Sequence, residues 1–175
     1  SIGLTFKEKI EALNGMTEIP NEYFQNSKIK EIIIPNNITS IGRYAFYDCD
    51  SLTSVTIPDS VTTIGDYAFY GCESLASVTI GNSVKTIGNS AFNCCTSLTS
   101  VTIPDSVTTI GNYAFYNCSS LKYVYCKPTT PPTGGNKMFD YNAAGRKILV
   151  PASEDDSIIN AYKAASYWSP YKGAI

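Results

Sequence analysis

A 23-residue unit that recurs along the chain limits the available folds more than any other feature. Three consecutive units start at positions 51, 74 and 97, and most of their positions carry the same or a similar residue. The same leucine position recurs in four units, at Leu52, Leu75, Leu98 and Leu121. A fixed period of this length is typical of stacked supersecondary units, not of a globule built around one central core. We therefore expect a solenoid in which successive coils share one apolar seam.

Each unit predicts a mostly β coil. In the unit that contains Leu52, apolar and hydroxyl side chains alternate over residues 54–57, which indicates a strand that Pro58 ends. The β-branched run 61–64 predicts a second short strand on another side of the coil. Asp66 then has the position of a cap for one helical turn through residues 67–72.

Composition excludes several classes of function. The formal net charge is −2 and only 16% of the residues are charged, so no basic field exists for nucleic acid. No apolar run reaches the length of a membrane span. The chain starts with a serine and not with methionine. We therefore expect any signal peptide or lipid anchor to belong to a segment that precedes it.

The six cysteines follow the repeat. Four of them close successive units at 23-residue spacing: Cys49, Cys72, Cys95 and Cys118. Cys126 occupies a position where other units carry an inward isoleucine, whereas Cys94 is off the pattern. We expect buried, unpaired thiols that pack as small apolar groups, with disulfides as the alternative. The chain has no CxxC pair and no histidine, so we expect no zinc site.

The two ends of the chain depart from the repeat. At the N-terminus, Thr5 and Glu8 have the spacing of a capping box, which predicts a helix that ends near Gly15. Residues 1–28 are thus expected to cap the stack, although residues 16–26 also resemble a diverged repeat.

The C-terminal end is expected to be a second cap. Residues 127–135 predict a proline-rich loop, residues 147–151 a strand, and Ser153 the start of a helix on which Trp168 packs. We interpret residues 127–175 as this loop and cap, with a separate ligand-binding subdomain as the alternative.

The pattern LxxVxIPxSVxxIGxxAFxxC covers residues 29–126 and resembles the 23-residue leucine-rich repeats of BspA-like bacterial surface proteins. The resemblance implies a right-handed leucine-rich-repeat solenoid of about four such coils, mostly β with short helical turns, between helical caps. It also implies a secreted or outer-surface location, and adhesion to host matrix proteins or to other cells. No catalytic residues come with it.

The residues whose types suit catalysis are better explained by the repeat. Asp59 and Asp105 lie two coils apart, about 10 Å, which is too far for a retaining glycosidase. Serine chemistry has neither a GxSxG elbow nor a histidine base, and the glycines do not form a phosphate loop. We therefore predict no enzyme activity, no catalytic or metal-binding residue and no cofactor.

The outward positions of the longer strands form the candidate ligand-binding site. They are expected to line the concave face in two rows that end in tyrosines. The first row is Glu31, Ser54, Ser77, Ser100 and Tyr123, and the second is Ile33, Thr56, Thr79, Thr102 and Tyr125. Of these, we predict that the Ser, Thr and Tyr residues contact a ligand, because solenoids use this face for extended partners and tyrosine gives a rigid contact area with a polar tip. The alternative is that the hydroxyl residues merely favour strands, and that the tyrosines pack under the proline-rich loop.

A second set of tyrosines predicts a stripe on the convex side, interrupted at Ser90 and Asn93. Its members are Tyr44, Tyr47, Tyr67, Tyr70, Tyr113 and Tyr116. These rings are interpreted as packing between coils, with docking of a sugar or a neighbouring molecule as the alternative.

The favoured function is non-catalytic binding on the outside of a bacterial cell, with an extracellular protein or glycan as partner and an undetermined oligomeric state. Two alternatives stay open: an architectural spacer that displays another domain, and a glycan-binding accessory protein.

Overall fold

The computed structural model describes residues 3–175, and it begins with a short helix. Helix α1 spans Phe6–Ala12 and continues as a 3-10 turn over Leu13–Gly15. The predicted capping box is confirmed: Thr5 Oγ1 accepts from the Glu8 amide at 3.2 Å, and the Glu8 carboxylate accepts from the Thr5 amide at 3.1 Å. Leu13 is buried beneath the helix, whereas the Phe6 side chain is half exposed.

Ten short strands form two parallel ladders along the stack. The ladder of two-residue strands contains β1 Glu18–Ile19, β2 Ser40–Ile41, β4 Thr63–Ile64, β6 Thr86–Ile87 and β8 Thr109–Ile110. The ladder of longer strands contains β3 Ser54–Ile57, β5 Ser77–Ile80, β7 Ser100–Ile103, β9 Tyr123–Cys126 and β10 Lys147–Leu149.

The register of the inner strands of both ladders follows the repeat. Ser54 pairs with Ser77 and Thr63 with Thr86, and each pair is separated by one repeat length. The longer ladder is divided into a two-stranded part (β3 and β5) and a three-stranded part (β7, β9 and β10). The predicted leucine-rich-repeat solenoid with short helices at its ends is confirmed. It has about six turns, more than the predicted four coils, because the diverged segments at both ends also stack as turns.

One apolar seam runs through the stack. The repeat leucines Leu52, Leu75, Leu98 and Leu121 have no exposed surface. The phenylalanine rings stack face to face, and centroids of adjacent rings lie 4.9 to 5.6 Å apart along Phe24, Phe46, Phe69, Phe92, Phe115 and Phe139. Burial of the same side chain from each coil makes every coil depend on its neighbours for its apolar contacts.

The predicted helical turn after each short strand is wrong. Residues 67–72 form a sequence of turns whose amides alternate between two kinds of partner. The Phe69 amide donates to the Ala91 carbonyl of the next coil at 2.8 Å, whereas the Tyr70 amide donates to the Tyr67 carbonyl of its own coil at 3.2 Å. The Asp66 side chain does not cap its own turn. Its carboxylate accepts from the Asn89 amide of the next coil at 2.8 Å, and the Asn89 side chain accepts from Asn112 in the same way. Bonds between coils therefore alternate with local turn bonds, and no continuous helix forms.

The repeat cysteines are buried and unpaired, and each thiol donates to the preceding coil. Cys49, Cys72, Cys95 and Cys118 each contact a phenylalanine carbonyl at 3.0 to 3.3 Å. Cys126 is also buried, whereas Cys94 is only partly buried. These thiols thus belong to the packed seam.

The predicted C-terminal strand and helix are present, and the end of the chain covers the last coil. β10 pairs with β9, and helix α2 spans Ser157–Ala164, followed by a 3-10 helix over Ser169–Ala174. Tyr162 donates its hydroxyl to the Pro128 carbonyl at 2.6 Å, and the Trp168 indole donates to Pro132 at 2.8 Å. Both aromatic side chains are fully buried, so they fix the proline-rich loop to the cap.

Close backbone contact between coils makes one glycine position a sensitive test of the stack. A Cβ atom on Gly111 would lie 2.5 Å from the Asn89 nitrogen and 2.6 Å from the Gly88 carbonyl carbon. Because these are backbone atoms held by the ladder, we expect Gly111→Ala to lower the free energy of unfolding by about 3 kcal/mol. Urea denaturation followed by circular dichroism measures this loss.

Gly3→Ala is the matched control, because nothing lies within 4 Å of a Cβ atom at that position. Equal stability of the two variants would show that the coils do not approach each other as closely as described.

Candidate binding surface

The structure brings the predicted binding residues onto one surface. Side chains at Ser54, Thr56, Ser77, Thr79, Ser100, Thr102, Tyr123 and Tyr125 are all exposed. The alternate residues of β3, β7 and β9 point into the seam, so alternation along the strand separates the two sets. We call this surface the strand face.

The two tyrosines of the strand face are partly exposed. Tyr123 is 42% exposed and Tyr125 is 41% exposed. Their ring centroids are 6.2 Å apart, with an angle of 22° between the ring planes. The pair therefore offers a preformed aromatic surface beside a floor of small hydroxyl side chains.

One more strand extends both rows, which the sequence did not predict. β10 places Lys147 beside Tyr123 and Leu149 beside Tyr125. Leu149 is 45% exposed. At the opposite end of the second row, Ile33 forms a bridge with Thr56 and is 89% exposed. Apolar side chains thus stand at both ends of the strand face.

Opposite charges also mark the two ends. Glu31 precedes the Ile33 bridge and is exposed, and Lys147 is exposed at the other end of the same row. Within residues 3–175 the one ion pair joins Lys28 and Asp50, at 2.9 Å, so neither end charge is neutralised by a salt bridge. The face between them carries only hydroxyl and aromatic groups.

A groove adjoins the Ile33 end of the strand face. Its volume is about 600 Å³, and its lining includes Ile33, Thr56, Thr79 and Asn82. Such a groove is open to an extended chain segment and is continuous with the outward rows.

Of the two carboxylates considered for chemistry, Asp59 bonds to the next coil. One oxygen of Asp59 accepts from the Asn82 amide in the next coil at 2.7 Å. Among residues 3–175, no three His, Cys, Asp or Glu side chains gather in a metal-binding arrangement. In the same range, no helix has the length and hydropathy needed to cross a bilayer.

The second tyrosine stripe consists of rings packed against each other between coils. Tyr44 stacks on Tyr67 at 4.9 Å and Tyr47 on Tyr70 at 5.0 Å. Burial, and to a lesser degree the nearby Cys94 thiol, raises the pKa of Tyr70 to about 12. Each of these four half-buried rings has one face covered by its stacked partner, so the strand face is the better candidate site.

Comparison with known proteins identifies the repeat. The family model described as a BspA type leucine rich repeat region matches residues 17–144 in six copies. No curated protein matches the chain in sequence.

Solved structures of similar proteins have the same fold. A leucine rich cell surface protein from Faecalibacterium prausnitzii is 32% identical with a TM-score of 0.62; the match covers 73% of this chain and 33% of that protein. The leucine rich repeat protein of T. pallidum is 22% identical with a TM-score of 0.63, over 87% of this chain and 79% of that one. The chain thus spans only a third of the Faecalibacterium protein. Because the family match extends over most of its length, the chain belongs to the BspA-type leucine-rich-repeat family.

Proposed function

We propose that this chain is a non-catalytic binding module of a secreted or outer-surface bacterial protein, and that its strand face holds an extracellular partner. The observation that carries the proposal is the exposure of Tyr123 and Tyr125 beside a floor of serine and threonine. Large, rigid aromatic groups with polar tips dominate many binding surfaces.

The location is supported by relatives. A protein that is 32% identical over 73% of this chain is described as a cell surface protein. Repeat proteins of this kind generally act through extended surfaces formed by several coils. The strand face, which crosses at least β3, β5, β7, β9 and β10, is such a surface.

Alanine at both tyrosines is expected to weaken partner binding roughly tenfold or more, because the aromatic contact area is lost. Wild-type protein is first screened against immobilised extracellular matrix proteins and a glycan array. The Tyr123→Ala/Tyr125→Ala variant is then titrated against the strongest binder. The Tm should stay nearly unchanged, since each ring keeps about two fifths of its surface in water.

Tyr141→Ala is the matched control, because this tyrosine is 68% exposed but lies outside the strand face. Retained binding by the double variant would overturn the proposed site, and a large drop in Tm would show that its rings are structural. A strongest binder on the glycan array would identify a glycan partner, and one among the matrix proteins a protein partner.

A further inference from the structure

The strand face has an order of residues that becomes complementary to itself when it is reversed. With β10 included, each outward row has six members. The first row runs Glu31, Ser54, Ser77, Ser100, Tyr123, Lys147, and the second runs Ile33, Thr56, Thr79, Thr102, Tyr125, Leu149. Both rows carry their large or charged residues at the ends and small hydroxyl residues in the middle.

Reversing the first row sets unlike groups against each other in its outer four positions. Glu31 meets Lys147, so an acid faces a base. Tyr123 meets Ser54, so a large ring faces a small side chain. Ser77 meets Ser100 at the centre, where the longer ladder is divided between β5 and β7.

Reversing the second row gives the same kind of match. Ile33 meets Leu149, and both are well exposed, at 89% and 45%. Tyr125 meets Thr56, again a large residue over a small one. The apolar ends of one row would thus cover each other, which removes exposed apolar surface from water.

A two-fold axis produces this reversal. The axis lies between two facing copies and runs parallel to their strands. Rotation about it places each row opposite the same row of the second copy. It also inverts the order in which the coils follow each other. A two-fold contact requires such a self-complementary surface, in which residue i meets residue j and j meets i. We propose that the strand face docks a second copy of this chain face to face, with the coil order reversed.

The end charges are available for this contact. Glu31 and Lys147 are exposed, and neither takes part in a salt bridge within residues 3–175. Two basic neighbours of the face point elsewhere: the Lys122 ammonium donates to the Ala144 carbonyl at 3.4 Å, and the Arg146 guanidinium to Phe139 at 2.6 Å. Within the two outward rows the charges are of opposite sign at opposite ends, and the exposed Lys30 lies outside these rows beside Glu31.

The contact is small and therefore weak. The strand face is six coils wide at the usual spacing between strands and about five residues long. Its area is therefore roughly 400 Å² per copy, which is less than each partner buries in a standard protein interface. A dissociation constant on the order of 100 µM is expected, and it should weaken with added salt because the end charges are screened. The inference rests on the face assigned under the proposed function, but self-association is measured on the purified chain alone. The proposed dimer and the proposed binding of an extracellular partner can therefore be refuted independently.

Charge reversal tests the contact by analytical ultracentrifugation over a concentration series at low salt. Wild type is expected to shift reversibly from monomer to dimer. Glu31→Lys and Lys147→Glu should each weaken self-association roughly tenfold or more, because both symmetric contacts become like-charged. An equimolar mixture of the two variants should recover it, since their heterodimer joins Lys to Glu at both ends. The double variant E31K/K147E should also recover it.

Glu11→Lys and Lys172→Glu are the controls: both positions are exposed outside the strand face, and the changes in net charge are the same. Circular dichroism checks that each variant is folded, and Glu31→Gln with Lys147→Gln replaces any that is not. A wild type that stays monomeric, or variants that associate as wild type does, would overturn the proposal. Failure of the mixture to recover the dimer would overturn it as well.

Discussion

Phe92→Ala is expected to lower the free energy of unfolding by about 4 kcal/mol. The Phe92 ring has no exposed surface and lies between the rings of Phe69 and Phe115, each at a centroid distance of 5.2 Å. Its removal takes contacts from both neighbouring coils, and the backbone ladders on either side limit how far the cavity can close. Urea denaturation followed by circular dichroism or by Trp168 fluorescence gives the loss.

Phe6→Ala is the matched control for this substitution. Phe6 is 51% exposed and contacts Phe24 at a centroid distance of 6.2 Å from the N-terminal end of the stack. We expect its loss to cost less than about 1 kcal/mol, because most of its surface already faces water. Equal losses for the two variants would mean that the stacked rings do not carry the stability of the seam.

The inner seam could be predicted from the sequence because identical coils place identical residues in contact. Leu52, Leu75 and Leu98 recur once in each repeat and are all fully buried. The outward rows of β3, β5, β7 and β9 were predictable for the same reason, since alternation along a strand fixes which side chains face out. The 23-residue period and the alternation of side chains along each strand together determine both faces of the longer ladder.

The first and last turns of the solenoid were not predicted, because their spacing differs from the repeat length by a single position. Ile19 pairs with Ile41 and Phe24 stacks on Phe46, and both separations are one position shorter than the repeat. Residues 16–26 thus contact the stack as a repeat does, which was the alternative interpretation of this segment. Phe115 stacks on Phe139 at a separation one position longer than the repeat. A search at a strictly constant period loses both turns.

The same shift explains why Lys147 and Leu149 were missed. Tyr123 pairs with Lys147, again one position beyond the repeat length, so the strand in residues 147–151 was predicted but not assigned to the rows. Asn142 follows Cys118 with the same extra position, and its amide donates to the Phe115 carbonyl at 2.9 Å. An amide thus makes the bond that thiols make in the earlier coils, which no pattern of residue type would indicate.

The turn after each short strand was mispredicted because every second amide in it donates to the next coil and not to its own. Asp66 and Asn89 have the residue types of helix caps, and a cap is the interpretation that uses only neighbours in sequence. In the stack, the amide that needs a partner lies a full repeat away, in the next coil. Tyr67 adopts a left-handed backbone with φ of 57°, which ends any helical continuation there.

Raising the pH above 9 is expected to destabilise the protein steeply, because buried thiols resist ionisation. Burial raises the pKa of Cys49 and of Cys126 to about 12, and it raises the pKa of Cys72 and Cys95 well above the usual range. In the unfolded chain each thiol ionises near pH 8.5. The folded state therefore holds protons that the unfolded state releases. The stabilising contribution of these thiols is complete below about pH 8 and is lost as pH rises towards the folded pKa.

The slope of this loss is large because four groups act together. Each thiol contributes about 1.4 kcal/mol per pH unit once its unfolded form is ionised, so the free energy of unfolding should fall by roughly 5 kcal/mol per unit above pH 9. Urea denaturation at several values from pH 7 to 10, with a non-thiol reductant present, measures the slope. The slope is taken up to about pH 9.5, where exposed tyrosines with their usual pKa near 10 are still mostly protonated, so the thiols dominate it.

Cys126→Ile separates the thiol effect from general alkaline damage, because the same position in three other coils holds a buried isoleucine: Ile57, Ile80 and Ile103. The variant should fold with similar stability at pH 7 and lose about a quarter of the alkaline slope. An unchanged slope would show that Cys126 already ionises in the folded state, which a seam sealed from water does not permit. The pH dependence thus tests whether water is excluded from the seam where the coils meet.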